Sequence, residues 1–560
     1  MKIKLFNFIL IGVFGAVCTM VSQSNQQKVF QQDFNRINNR VWIGEEFWAV
    51  PMEDWRVQNG RIECFNDRGN SRVNILTQEL TGQGNIEISV KTGVMDFLKK
   101  AGSVGFTIGL QDNTDNDIRS LCYFGKGIPV GINLDGTIYI GSEKSALPSN
   151  FSFNSVELIF SANRKGGENN SKLKAIDKNG ISAEISTTNN FPIKGIFTLA
   201  NNHPGQSKSK QKTNFWFDDL EVKGSLVKHK PGNSFGSLLW SMYTLSKQEL
   251  NLSVQLPPIS INDNQLVELQ ILQNKNWTTL KVENIDVNSR NASFSIKNWD
   301  DSINHTYRLS YKQTYKDGTS KKHYYEGVIQ KDPKDKPLEI AGMTCQYHYG
   351  FPYRPLTESI EKKDPDLLFF SGDQIYEPNG GYGIIRFPAD RAILSYLGKW
   401  YMFGWAFGDL MRDRPTITLA DDHEVFQGNL WGNGGKKVSQ EDWRKSRDAT
   451  SGFVEPAEMV NVVIRTNSSH HPKPFDSTPV DQGINVYYTD ILYGNVSFAV
   501  ISDRMFKSGP EEVVEATKGT YWRGRKDMLN AQYSNSNIEQ EKSLKLLGER
   551  QLKFLEHWMY

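Results

Sequence analysis

The sequence is short of cysteine and histidine, has no excess of either charge, and beyond its N-terminus has no long apolar run. Four Cys in 560 residues are too few for a scaffold built on disulfides. Lys plus Arg number 65 against 63 Asp plus Glu, a net charge of +2. The bulk field therefore draws in neither nucleic acid nor an anionic membrane, and any anion has to be held by a local site. After the N-terminus, no apolar stretch approaches the roughly 18–20 residues of a membrane-spanning helix. The 46 Gly and 21 Pro follow no collagen-like repeat, and 38% hydrophobic residues exclude a disordered chain. What remains is ordinary globular composition, long enough at about 100–200 residues per domain for three or four domains.

Lys2 and Lys4 precede an apolar stretch, Leu5 to Val17, and polar residues from Ser22 to Lys28 follow. This stretch is too short to cross a bilayer, and Ser22 and Ser24 offer a cleavage site. Residues 1–24 are therefore expected to be a secretory signal, with the mature chain exported to the periplasm, cell surface or medium. Cys18 stands where a lipoprotein signal carries its lipidated cysteine, but Val17 occupies the place of a small residue, so cleavage without a lipid anchor is the expectation. Cys64, Cys122 and Cys345 remain. In an oxidising compartment the first two, inside one segment, can pair and leave Cys345 as an odd thiol.

From about Val29 to Gly224 short β-rich runs separated by Gly, Asn and Asp predict an all-β sandwich without an amphipathic helix: Ile86–Val90, Val104–Ile108, Thr137–Ile140, Val156–Phe160 and Phe215–Phe217. Its ends, Trp55–Ile62 and Phe215–Val222, resemble those of concanavalin-like jelly rolls, which implies residues 25–227 as one such domain and a glycan as its candidate partner. Lys228 to Gly232 is expected to be a linker. Residues 233–335 then carry a second series of strands, Leu250–Leu256 to Tyr307–Tyr311, with the rhythm of an immunoglobulin- or fibronectin-like sandwich.

After Lys336 the pattern changes. Four apolar runs each end in a polar cluster: Leu338–Met343 in Thr344-Cys345, Leu367–Phe370 in Ser371-Gly372-Asp373, Thr416–Leu419 in Asp421-Asp422-His423-Glu424, and Val496–Ile501 in Ser502-Asp503-Arg504. Ala389 to Arg412, rich in Leu, Trp and Phe, predicts a long helix between the second and third. Short buried strands alternating with helices indicate an α/β layered domain, whose ligands bind outside the carboxyl ends of the strands. The four clusters are thus expected to converge. Singly, Asp421 or His423 reads as a turn residue and Tyr376 as packing; together they are a thiol, carboxylates, a phenol and an imidazole. Thiolate and phenolate suit a strongly Lewis-acidic transition metal, and carboxylate and amide oxygens suit Ca²⁺ or Mg²⁺. A two-metal site of this kind clamps a phosphate ester and activates water. Arg504 and Lys507 stand close in sequence to hold phosphoryl oxygens, Arg504 as a bidentate fork and Lys507 as a point charge.

Gly372-Asp373-Gln374-Ile375-Tyr376-Glu377, Asp421-Asp422-His423-Glu424-Val425, Asp503-Arg504 and Leu547-Gly548-Glu549-Arg550-Gln551, preceded by Thr344-Cys345-Gln346, resemble the ordered motifs of PhoD-like metallophosphatases, the alkaline phosphatase D family. Phe426–Gly432 and Lys507–Pro510 look like an exported subgroup with an additional N-terminal β domain. The resemblance implies an αββα-type fold over 336–560 and a hydrolase that holds iron and calcium. It implies Cys345, Asp373 and Tyr376 as metal ligands, with Asp373 bridging, and Asn429 as a further ligand, although its spacing is one residue longer than usual. Asp421, Asp422, His423 and Arg504 would line the catalytic site. In the family this domain continues into later strands with further Asp and His ligands. Here only His470, His471 and His557 follow His423, so the expectation is a chain cut short inside the domain with a half-furnished metal site. The reading is an exported, metal-dependent phosphoesterase acting on phosphate mono- or diesters. Its rival is an inactive glycan-binding or adhesion protein on a phosphatase-like scaffold.

Overall fold

A computed structural model describes residues 30–66, 69–96, 98–206, 212–446, 450–509 and 544–560. The signal segment 1–24 and Cys18 lie outside the described residues. Among the described residues, no helix is long and apolar enough to cross a membrane.

The first segment folds as two antiparallel sheets sharing one apolar core. One runs in the order 182–189, 168–177, 156–165, 84–94, 215–223, 61–64 and 55–58, with 30–32 added on 215–223. The other runs 143–146, 137–140, 126–133, 103–111, 194–201, 71–75 and 47–50. Strict alternation places one face of each strand in the core: in Val156–Lys165, Val156, Leu158, Phe160 and Ala162 are buried, and the residues between them are partly exposed. Asn59 and Gly60, both left-handed, close the hairpin between Trp55–Gln58 and Arg61–Cys64, a turn whose twist matches its strands.

Three expectations are corrected here. A helix, Ile118–Phe124, does occur in this segment, with the Asp117 carboxylate accepting from the Arg119 amide at 2.9 Å. Its seven residues are too few to show a helical period in sequence. Lys228–Gly232 is not a free linker, because Val227–His229 pairs antiparallel with Gln78–Thr81 and Pro231–Asn233 forms a 3₁₀ turn. Cys64 and Cys122 do not pair: Cys64 is in the sandwich core, whereas Cys122, on the short helix, belongs to a different core, and both thiols are free and buried.

The second segment forms a three-stranded sheet (240–246, 249–255, 291–297) and a four-stranded one (276–284, 266–273, 305–314, 320–329), a seven-stranded sandwich of the kind expected. The third has a parallel sheet of Ile340–Met343, Leu367–Phe370 and Thr416–Thr418, in that order.

The helix Ala389–Arg412 binds the three segments together. It is apolar around most of its circumference, as a helix covered on every side must be. Trp405 stacks on Phe235 at 4.4 Å and meets Trp48 of the first sandwich at 5.3 Å. Trp400 and Tyr401 meet Trp240 of the second at 6.0 and 5.9 Å. Phe403 and Phe407 pack on Phe370 of the parallel sheet. One core therefore runs through all three segments.

Candidate metal centre and active site

The three parallel strands end on the same side, and each leads directly into a polar loop. Cys345 and Asp373 both adopt left-handed backbone (φ 60° and 57°), uncommon for residues with a Cβ, and turn the chain sharply after its strand. The loops are laced together: the Cys345 amide donates to the Gly372 carbonyl at 3.3 Å, and the Gln346 amide to that of Asp373 at 2.8 Å. Gly372 has φ +114°, and a Cβ there would lie 2.6 Å from the Cβ of Asp421, so only glycine lets the second and third loops come this close.

Asp373 is the hub. Its Oδ2 accepts the Tyr376 hydroxyl at 2.6 Å and the Cys345 thiol at 3.5 Å, and its Oδ1 is buried without a hydrogen-bond partner. Carboxylate oxygens of Asp373, Asp421 and Asp422 lie within 4.8 Å of one another. Burial, and then the neighbouring Asp421, push the Asp422 carboxyl up to about 7. Burial first, and then contact with Asp373 and Cys345, hold the Tyr376 phenol well above its ordinary range. So much negative charge in a partly dry pocket is the condition a cation relieves.

Arg504 supplies some positive charge. Its Nε stands 2.5 Å from Asp421 Oδ1 but is misaligned for a hydrogen bond, and its Nη2 donates to Asp421 Oδ2 at 3.2 Å and Asp422 Oδ1 at 3.5 Å. The run before it corrects one expectation in detail. Val496–Val500 does not join the parallel sheet; it pairs with Thr489–Tyr493 in a hairpin closed by the left-handed pair Gly494-Asn495. Arg504 reaches the cluster because Gln551 grips the chain two residues earlier, accepting from the Ser502 amide at 2.7 Å and donating to its carbonyl at 3.1 Å.

His423 follows the two aspartates in a short 3₁₀ turn, its ring 4.3 Å from that of Tyr376. Its Nδ1 is 2.8 Å from Glu377 Oε2. Burial alone would lower its pKa, but the hydrogen bond and charge of Glu377, with Asp373 and Asp422 behind, raise it to about 9. Glu377 and Glu424 stand within the sequence motifs with no signal there of their roles. Glu424 is fully buried; it accepts from the Gln374 amide at 2.6 Å and from the Asp421 amide at 2.9 Å, tying the second loop to the third. Burial, and then Asp373, push it up to about 8.

The structure thus brings together Cys345, Asp373, Tyr376, Asp421, Asp422, His423 and Arg504. Lys507 lies over the Trp431 ring at 4.9 Å. Asn429 is half-buried in the bend after the 3₁₀ turn, and among the described residues no hydrogen bond joins it to the cluster. His470 and His471 are buried beside the third strand, where ring nitrogens meet the Thr416 carbonyl at 3.0 Å and the Thr418 amide at 3.4 Å. His557 packs on Phe475. The donor set at the centre, one thiol, one phenol and three carboxylates with an unpartnered buried oxygen, fits a hard or borderline cation.

Several solved structures resemble about a third of the chain: arcelin-5 from Phaseolus vulgaris (7% identity, 36% of this chain and 99% of that one, TM-score 0.25), peanut lectin with a 9mer peptide (11%, 36% and 100%, 0.26) and lectin II from Ulex europaeus (8%, 35% and 98%, 0.25). Among the curated proteins, none matches. Residues 340–560, the segment that carries every residue of the acidic centre, match the model of the PhoD-like phosphatase family.

Proposed function

We propose that the protein is an exported, metal-dependent phosphoesterase that hydrolyses phosphate mono- or diesters. The convergence of Cys345, Asp373, Tyr376, Asp421 and Asp422 outside the ends of three parallel strands carries this reading. Cys345, Tyr376 and Asp373 would hold iron; Asp373, with Asn429 swung in from its bend, would hold calcium. Bound there, such ions polarise the phosphoryl group and make water a competent nucleophile near neutral pH. Asp421 and Asp422 shape the wall opposite Asp373, and Arg504 keeps both carboxylates aligned. Arg504 and Lys507 bring positive charge to the phosphoryl oxygens. His423, kept protonated by Glu377, is the general acid: its Nδ1 proton is shared with Glu377, and its Nε2 proton passes to the oxygen of the departing alcohol.

For the first sandwich we propose a glycan at a cleft of about 400 Å³ lined by Phe124, Phe191, Gln111 and Asn113. A glycan-binding screen on the purified protein tests it.

Hydrolysis of a chromogenic bis-aryl phosphodiester and an aryl monoester, with and without chelator, tests the enzyme reading. Chelator-sensitive turnover is expected, and Asp373→Ala should lower it by more than the roughly 10–100-fold typical of lost outer-shell partners. An absence of chelator-sensitive turnover would overturn the enzyme in favour of a binding protein on a phosphatase-like scaffold.

A further inference from the structure

Against Tyr376 of the acidic centre runs a series of touching rings, Tyr347, His348 and Tyr349, for which the chemistry just described has no use. Tyr376, hydrogen-bonded to Asp373, meets the ring of Tyr347 at 5.2 Å and 73°. Tyr347 stacks on His348 at 4.6 Å and meets Tyr349 edge-on at 4.9 Å, and Tyr349 meets His348 at 4.7 Å. The base of this ridge is fixed. His348 is buried, backed at 5.6 Å by Phe124 of the first sandwich, and its amide donates to Asn379 Oδ1 at 3.3 Å. The Tyr353 hydroxyl donates to the Tyr347 carbonyl at 2.6 Å. The outer end is bare: Tyr349 is 85% exposed.

An aromatic side chain left almost wholly in water contributes little to the fold beyond its edge contacts, since burial is the main stabilising event. Placed on a rigid base and linked through Tyr347 to Tyr376 of the acidic centre, it extends a preformed apolar face outward from the bond to be broken. We propose that the ridge Tyr347–Tyr349 is the subsite for the organic part of the ester, and that it selects esters bearing a flat aromatic ring over small alkyl esters. A sugar would need hydroxyl partners flanking the ring; of the polar side chains within three residues of Tyr349, Gln346 and His348 are both buried. The inference rests on the phosphoesterase reading for its substrate but not for its binding.

The exposed position of Tyr349 makes Tyr349→Ala safe for folding, and Tyr349→Phe preserves the ring. Two readouts separate the claims. In turnover, the ratio of kcat/KM for 1-naphthyl phosphate to that for glycerol phosphate should fall about 3–10-fold in Tyr349→Ala, mainly through KM, and be restored in Tyr349→Phe. In binding, calorimetry with a non-hydrolysable 1-naphthyl phosphonate should show the same loss of affinity. An unchanged ratio, a change confined to a sugar phosphate, a loss equally large in Tyr349→Phe, or no binding of the phosphonate would each overturn the ridge. Phosphonate binding that Tyr349→Ala weakens, with no turnover of any ester, would overturn the phosphoesterase reading and leave the ridge standing.

Discussion

Gly372→Ala is the sharpest test of how this centre is assembled. The residue lies between the strand Leu367–Phe370 and Asp373, at φ +114°, a conformation that costs an L-residue about 1–3 kcal/mol. The new methyl group would sit 2.6 Å from Asp421 Cβ and 3.3 Å from its Cγ, where carbon atoms rest at about 3.5–4.0 Å. The two loops must separate by about 1 Å, or the overlap costs a further ~1–3 kcal/mol. Asp421 is only half-buried and its loop can give, so part of that cost is relieved by moving its carboxylate away from Asp373. The expected result is local destabilisation of about 2–4 kcal/mol together with at least about 10-fold weaker metal binding, because three carboxylates that converge within 4.8 Å no longer do so. Hydrogen exchange of the segment 367–376 reads the first and a calorimetric titration with Ca²⁺ the second. Wild-type exchange rates and wild-type affinity in the variant would refute the claim that close approach at Gly372 builds the site.

Gly404→Ala tests the shared core: a Cβ there would lie 2.3–2.4 Å from the Trp240 ring, so the helix gains about 1 kcal/mol in propensity but loses more to overpacking, ~1–3 kcal/mol or above, and thermal unfolding should shift down. His203 gives a pH dependence for the first sandwich. Fully buried between Tyr139 and Thr107, it is lowered by that burial from 6.5 to about 4. Its neutral form is favoured in the fold, so the stability it supports is complete above pH 6.5 and is lost as pH falls towards 4, by about 3 kcal/mol in all. Denaturant unfolding at several pH values should show this slope in wild type and a flatter one in His203→Gln; equal slopes would refute it.

Much of the architecture is legible along the chain because its signals are local. Period-two burial in Val156–Lys165 and the unbroken apolar character of Ala389–Arg412 declare strand and helix from their own residues. The helix Ile118–Phe124 escapes notice because one and a half to two turns cannot display a period, and the hairpin 489–500 because an apolar run does not say which strand it will pair with. Within the centre, Cys345, Asp373, Tyr376 and the Asp421-Asp422-His423 triplet are readable from motifs at strand ends. Glu424 and Gln551 are not, since each acts by gripping backbone amides of distant loops, a role with no side-chain signature.

What the sequence by itself determined is the menu: two β-rich segments, an α/β segment, and a short list of thiol, phenol, imidazole and carboxylate side chains at the ends of apolar runs. These follow from side-chain chemistry and nearest-neighbour periodicity. What only the tertiary structure decided is which of them meet. Arg504 is drawn to Asp421 through Gln551, Lys507 is laid on Trp431, His470 and His471 are buried beside the third strand, and the two expected disulfide partners are placed in separate cores. The reason is that each of these contacts joins residues far apart in the chain, and its energy depends on burial and on the charges around it, neither of which exists until the strands and the central helix have packed.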